Sequence, residues 1–269
     1  NIDEIEFTIF DTETTGLEPE SGDRIVEIAA IRFKGKERIA EFKSMVNPNR
    51  PISEAAFQVN RISQEMLKEA PNMSAVMPEF LRFIRDTCLC SYNAGFDLAF
   101  LNNELKLLGK SLPRETLVAD ILKMSRRLLP RLERYALWFV AQTLGIKLKQ
   151  EHRAMSDVEL TLEVFNRLKE ILEAKEIFDF RNFLGLFGMN SDFLDDINNQ
   201  KLAKIQEAMD LGVKLKIKYL SSSSSVTQRE VIPRQIALDK NRTYLVGYCC
   251  LRNEERSFRI DGILHLEIV

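Results

Sequence analysis

The stretch Ile5-Glu6-Phe7-Thr8-Ile9-Phe10-Asp11-Thr12-Glu13-Thr14-Thr15-Gly16 begins as a compact apolar run and ends in acids, threonines and a glycine. Such a run reads as a buried strand that delivers polar side chains to the loop at its end. Residues two apart on a strand share a face, so Asp11 and Glu13 present both carboxylates to one side. Two ionised groups this close repel and raise each other's proton affinity unless a cation compensates. Hard oxygen donors select Mg²⁺ or Mn²⁺ over soft metals.

Outward from this strand, residues 24–34 and 37–46 are β-rich runs around Lys34-Gly35-Lys36, which predicts a hairpin, and Pro48 and Pro51 close the region. Residues 52–67 and 74–85 have helical spacing, and 87–91 reads as a strand. Residues 97–108 open a helix with an acid in its first turn. Val158, Leu162, Phe165, Leu168 and Leu172 recur every three or four positions, the mark of a long amphipathic helix that closes a domain near residue 175. The periodicity then fades, so 176–198 reads as a connector. A short helix with Leu202, Ile205 and Met209 follows, then strand candidates over 214–220, 228–238, 242–251 and 257–268. The expected organisation is thus an α/β domain over 1–175, a connector over 176–198 and a small β-module over 199–269.

Asp97 and Asp157 each stand near the start of a predicted helix and could complete a set of four carboxylates with Asp11 and Glu13. That set carries about the charge that balances two divalent ions, an arrangement suited to phosphodiester hydrolysis. His152 precedes Asp157 by five residues. At about 100° per helical residue the two side chains would diverge by roughly 140° on one helix, so His152 belongs on the preceding loop. A neutral imidazole there can take a proton from an attacking water.

Composition narrows the classes. With 269 residues, 45% of them hydrophobic, the chain can bury a full core. The formal net charge of −2 excludes bulk attraction of polyanions and leaves local basic patches to do that work. Residues 206–269 hold 10 Lys+Arg against 8 Asp+Glu, and the rest 28 against 32, a small asymmetry that favours a polyanion contact in the tail. No apolar run approaches the roughly 20 residues of a bilayer span, and the first residues lack a signal-peptide pattern. A soluble, cytoplasmic protein without a membrane partner is expected. Cys88, Cys90, Cys249 and Cys250 lie in apolar strand-like stretches and read as buried free thiols.

Three segments together, Phe10-Asp11-Thr12-Glu13-Thr14-Thr15-Gly16-Leu17, Tyr92-Asn93-Ala94-Gly95-Phe96-Asp97-Leu98-Ala99-Phe100-Leu101 and His152-Arg153-Ala154-Met155-Ser156-Asp157, resemble the DnaQ-like DEDDh exonucleases. The resemblance implies an RNase H-like mixed sheet flanked by helices, and 3′→5′ release of nucleoside monophosphates with two Mg²⁺ or Mn²⁺. It implies that Asp11, Glu13, Asp97 and Asp157 hold the ions and that His152 is the general base. Thr14, Thr15, Gly16, Leu17, Val59, Asn60 and Phe96 would receive the terminal nucleotide; Asn60 stands where relatives often carry a histidine. Single-stranded DNA or RNA 3′ ends are the implied partners, with a polymerase or repair assembly beside them. An exoribonuclease trimming small RNAs, or a non-catalytic sensor of nucleic acid, is the alternative.

In the tail, Tyr219, Arg229, Pro233, Tyr244-Leu245-Val246-Gly247-Tyr248-Cys249, Arg252, Arg256, Phe258-Arg259 and Asp261 resemble the WYL domain, which implies a small Sm- or SH3-like β-barrel that binds nucleic acid or another anionic ligand. Thr243 and Gly262 depart from that family's pattern. Arg229, Arg252, Arg256 and Arg259, interleaved with aromatics, are the candidate contacts.

Overall fold

A computed structural model describes residues 1–269, with Ser191 described in its backbone only. The chain divides into two units, residues 1–126 with 132–170, and residues 127–131 with 171–269.

The first unit is built on a five-stranded sheet of order β3-β2-β1-β4-β5, with β1 Glu6–Thr14, β2 Ile25–Lys34, β3 Glu37–Met45, β4 Cys88–Ser91 and β5 Val118–Asp120. β1 runs antiparallel to β2 and parallel to β4, so the sheet is mixed and β1 is central. Centrality explains its apolar sequence, since Phe7, Ile9 and Phe10 are buried. The helices are α1 Glu54–Asn60, α2 Gln64–Leu67, α3 Met73–Phe83, α4 Ala94–Leu107, α5 Ile121–Leu128, α6 Leu137–Thr143 and α7 Ala154–Ala174. One core cluster joins Phe10, Ile28 and Leu89 of the strands to Met77 and Phe80 of α3 and Phe100, Leu101 and Leu105 of α4. Phe7 stacks on Phe33, and Phe165 of α7 meets both rings.

The second unit contains α8 Phe180–Phe187, α9 Ser191–Leu211 and a five-stranded antiparallel sheet of order β10-β6-β7-β8-β9. Its strands are β6 Leu215–Leu220, β7 Val226–Asp239, β8 Arg242–Cys249, β9 Glu254–Arg259 and β10 Ile263–Ile268. Two expectations change here. The barrel is not closed: β9 and β10 are the sheet edges, and among the described residues no pairing joins them. Ile205 and Ala208 of α9 pack with Leu215, Val231, Leu245 and Phe258, so a helix supplies the apolar cover that a closing strand would otherwise give. The stretch 176–198 contains α8 and the first turns of α9, although its Gly and Asn residues obscure any helical period. Asp179 caps α8 by accepting from the Asn182 amide at 2.8 Å.

All four cysteines are free; Cys88, Cys90 and Cys249 are buried and Cys250 is half-buried. Among the described residues no helix is long and apolar enough to cross a membrane.

Candidate active site

The pleat of β1 sets the site. Asp11 and Glu13 project from one face near the strand end, with Asp11 opposite Ala29 and Glu13 opposite Glu27 of β2. Asp157, in the first turn of α7, joins them, and one carboxylate oxygen from each of the three lies within 4.8 Å of the others. Without a cation this proximity is costly. Enclosure by protein, reinforced by Asp97, Glu13 and Asp157, pushes the Asp11 carboxyl well above its ordinary range. Burial, then Asp157 and Glu27, pushes Glu13 up to about 8. Burial also raises Asp157, although hydrogen bonds from Gln150 and Glu151 oppose the rise. Clustered hard oxygens with this much unbalanced repulsion fit a divalent ion and fit a soft metal poorly.

Asp97 takes a different position. It is buried in the first turn of α4, and its Oδ1 accepts from the Thr12 amide at 3.0 Å and the Thr12 hydroxyl at 2.8 Å. Its Oδ2 accepts from the Ser91 hydroxyl. Burial raises it to about 6 against those three donors. It is therefore anchored between β1, β4 and α4, close enough to raise Asp11 but outside the tight group of three. The α4 entry is secured by Asp120 at the end of β5, whose Oδ1 accepts from the Asn93 and Ala94 amides at 3.1 and 3.3 Å.

His152 lies on the loop before α7 with a left-handed φ of 53°. Its exposed side chain lines a cavity of about 400 Å³ with Trp138, Gln142, Lys147, Lys149 and Gln150, and none of the four acids lines that cavity. The loop is tied to the site through Asp157, which accepts from Gln150 Nε2 at 2.9 Å and from the Glu151 amide at 3.2 Å.

Beside the acids a cavity of about 540 Å³ is lined by Thr12, Glu13, Thr14, Gly16, Leu17, Val59, Asn60 and Phe96, among others. Leu17 is 78% exposed at its mouth, which no packing role explains. Thr15 does not line the cavity. It is buried, its hydroxyl donating to Asp23 Oδ1 at 2.9 Å and accepting from the Arg24 amide at 3.0 Å. Asp23 also explains Gly16, where a Cβ would come within 2.2 Å of Asp23 Oδ2. Asn60 is buried, Nδ2 donating to the Thr14 carbonyl at 3.4 Å and Oδ1 accepting from the Ile62 amide at 3.0 Å, and its side chain also acts on Glu13, opposing the rise of that carboxyl.

Sequence reasoning missed Glu27, fully buried on β2. It accepts from Arg153 Nε at 3.0 Å, Arg153 Nη2 at 2.8 Å and the Ala154 amide at 3.0 Å, and so fixes the start of α7 against the sheet. The signal was present: a lone acid inside the buried run Ile25–Ile31 needs a partner. Thr12, Ser91 and Gln150, which hold two of the acids, carried no such signal.

In the second unit three of the four arginines are engaged by neighbouring side chains: Arg256 pairs with Glu254, Arg259 is engaged by Asp261, and Arg229 donates to Thr227 Oγ1 at 3.1 Å; Arg252 sits exposed in the turn between β8 and β9.

The sequence profile of the exonuclease family (RNase_T) matches residues 8–165, and that of the WYL domain matches residues 200–268. The chain is 38% identical over 168 residues to a PolC-type DNA polymerase III of Caldanaerobacter subterraneus, covering 62% of this chain but 12% of that protein. It is 39% identical over 166 residues to the DNA polymerase III subunit epsilon of Treponema pallidum, covering 61% of this chain and 76% of the relative. In three dimensions it is similar to the nuclease domain of 3′hExo, a DEDDh family member bound to rAMP, with a TM-score of 0.56 at 18% identity over 62% of this chain and 92% of that one. The chain belongs to the exonuclease family through residues 8–165, and residues 200–268 match the WYL domain.

Proposed function

We propose that the chain is a divalent-metal-dependent 3′→5′ exonuclease that releases nucleoside monophosphates from single-stranded or frayed 3′ ends. The observation that carries this reading is the packing of Asp11, Glu13 and Asp157 carboxylate oxygens within 4.8 Å of one another beside a nucleotide-sized cavity. Asp11, Glu13 and Asp157 would hold one Mg²⁺ or Mn²⁺, and Asp11 with Asp97 a second. Bound there, such ions supply charge stabilisation for the attacking and leaving oxygens. The rest falls to the chain's own groups. Leu17 and Val59 offer apolar contact to the terminal base and Phe96 closes the cavity wall; His152, which faces the neighbouring cavity, would take the proton of the attacking water once the loop tethered by Gln150 and Glu151 turns it toward the acids. The name of the Treponema pallidum relative favours a polymerase as partner. The WYL domain in this reading binds nucleic acid or an anionic ligand.

The test incubates the protein with Mg²⁺ or Mn²⁺ and 5′-labelled single-stranded DNA, RNA and 3′-mismatched duplex. A ladder shortening from the unlabelled end supports the polarity, and the preferred strand identifies the sugar. Asp11→Ala and His152→Ala should each remove most of the metal-dependent release. A His152→Ala variant with wild-type single-turnover rates would take the proton-transfer role from that residue.

A further inference from the structure

Arg229, Arg256 and Arg259 on the strands and Arg252 in a turn leave unexplained how the second unit would meet an anion, and its cationic cavity is lined by other residues. A cavity of about 520 Å³ opens beside α8, α9, β6 and β10, within the range of small-molecule sites. Ile197, Gln200, Lys201 and Lys204 recur at i, i+3, i+4 and i+7, so α9 turns one stripe of side chains to it. Lys218 of β6 pairs in register with His265 of β10, and Arg181 comes from α8. Ile177, Ile197, Ile263, Leu264 and Leu266 give it apolar surface.

Its charges are not balanced. The carboxylates lining it are Glu176 and Asp179, against Arg181, Lys201, Lys204 and Lys218. Glu176 lies 3.5 Å from Lys218, and Asp179 is committed to capping α8. Arg181 is shared by Asp196 and Gln200 outside the ring of carboxylates that line the cavity. Lys201 donates to the Ile260 carbonyl at 3.2 Å, and neither Lys201 nor Lys204 has an ion-pair partner among the described residues. Burial lowers the Lys201 ammonium to about 8, with Asp261 partly offsetting it. Asp261 is itself engaged by Arg259, and a half-buried ammonium with no carboxylate at ion-pair distance is an unfavourable arrangement that an incoming anion relieves.

We infer that this cavity is a nucleotide-phosphate site, in which Lys201 and Lys204 receive the phosphate and the isoleucine–leucine wall receives the base or sugar. The inference rests on the reading of residues 200–268 as a ligand-binding domain. It assigns that role to α9 lysines, not to the strand arginines. The phosphate could belong to a free mononucleotide or to a strand end, and one titration separates these sources.

The 269-residue chain in chelator, so that the carboxylate cleft holds no divalent ion, is titrated calorimetrically with thymidine monophosphate, with 5′-phosphorylated decathymidylate and with thymidine. Binding of either phosphorylated ligand and not of thymidine is expected, and the tighter of the two identifies the source. Lys201→Gln and Lys204→Gln should each raise its Kd about tenfold or more, as expected for loss of a charge-assisted contact. Lys204 is exposed, so its variant is informative even if Lys201→Gln unfolds the domain. Thymidine binding as tightly as its phosphate, a Kd unchanged in the Lys204 variant, or no heat from either phosphorylated ligand would each overturn the assignment. The titration involves no turnover, so failure of the nuclease assay and failure here are separate results.

Discussion

Arg153→Met removes the partner of Glu27 while keeping most of the side-chain stem. Glu27 is completely buried and its carboxylate loses two charge-assisted hydrogen bonds, retaining only the Ala154 amide. Breaking a buried pair from one side costs ~3–5 kcal/mol because the remaining charge is stranded. The Arg153 side chain is 35% exposed, so the lower end, about 3 kcal/mol, applies. For a unit of this size that corresponds to a Tm lower by about 6–12 °C, read from the thermal melt of the full chain at pH 7. A second arm separates desolvation from lost packing: Glu27→Met combined with Arg153→Met removes both charges and should regain at least half of the loss. The same single variant loosens the α7 start that carries Asp157, so nuclease activity should fall more than stability alone explains. A single variant that melts within about 2 °C of the parent would refute the view that this pair fixes the site.

The acids predict a pH signature. Glu13, raised to about 8, and Asp97, raised to about 6, bind protons more tightly folded than unfolded. Stability from this source is full below about pH 4 and is lost as pH rises through 6 to 8. In chelator the Tm should therefore decline over that window, and added Mn²⁺ should raise it more at pH 8 than at pH 5.5; an equal increment at both would contradict the cluster. Leu17→Ala, at an exposed side chain, should leave the Tm within about 1 °C but raise KM several-fold on short oligonucleotides, and an unchanged KM would exclude Leu17 from the nucleotide cavity. Ser91→Ala removes a donor to buried Asp97 and should lower kcat with little change in KM, measured at saturating Mn²⁺; an altered KM with unchanged kcat would argue against anchoring of that acid.

Strand β1 was legible because a continuous apolar run leads into acids two residues apart, and α7 because Val158 to Leu172 keep a helical period. Asp11, Glu13 and Asp157 could be named from spacing and resemblance. The different station of Asp97 could not, since it depends on Thr12 and Ser91, ordinary residues until the fold brings them together. His152 could be assigned to a loop by helical geometry, but its direction depends on a left-handed backbone that no local pattern announces. In the second unit the regular alternation of strands was readable. Closure was not, because it turns on whether a helix or another strand covers the apolar face. The α9 lysines were overlooked because a basic helix face usually reads as solvated surface, and only the neighbouring sheet edge makes it concave.

The alternation along β1 has a consequence for how the chain tolerates change in length. Asp11 and Glu13 point one way, while Thr12, between them, grips Asp97, so a single inserted or deleted residue within the strand would exchange acids for hydroxyl and turn the ion-holding face into the supporting one. The hairpin turn at Gly35, with φ of 58°, can lengthen without any such inversion. Engineers who wish to graft a tag or a sensor into this unit should place it there and keep the nine residues of the central strand unchanged in number.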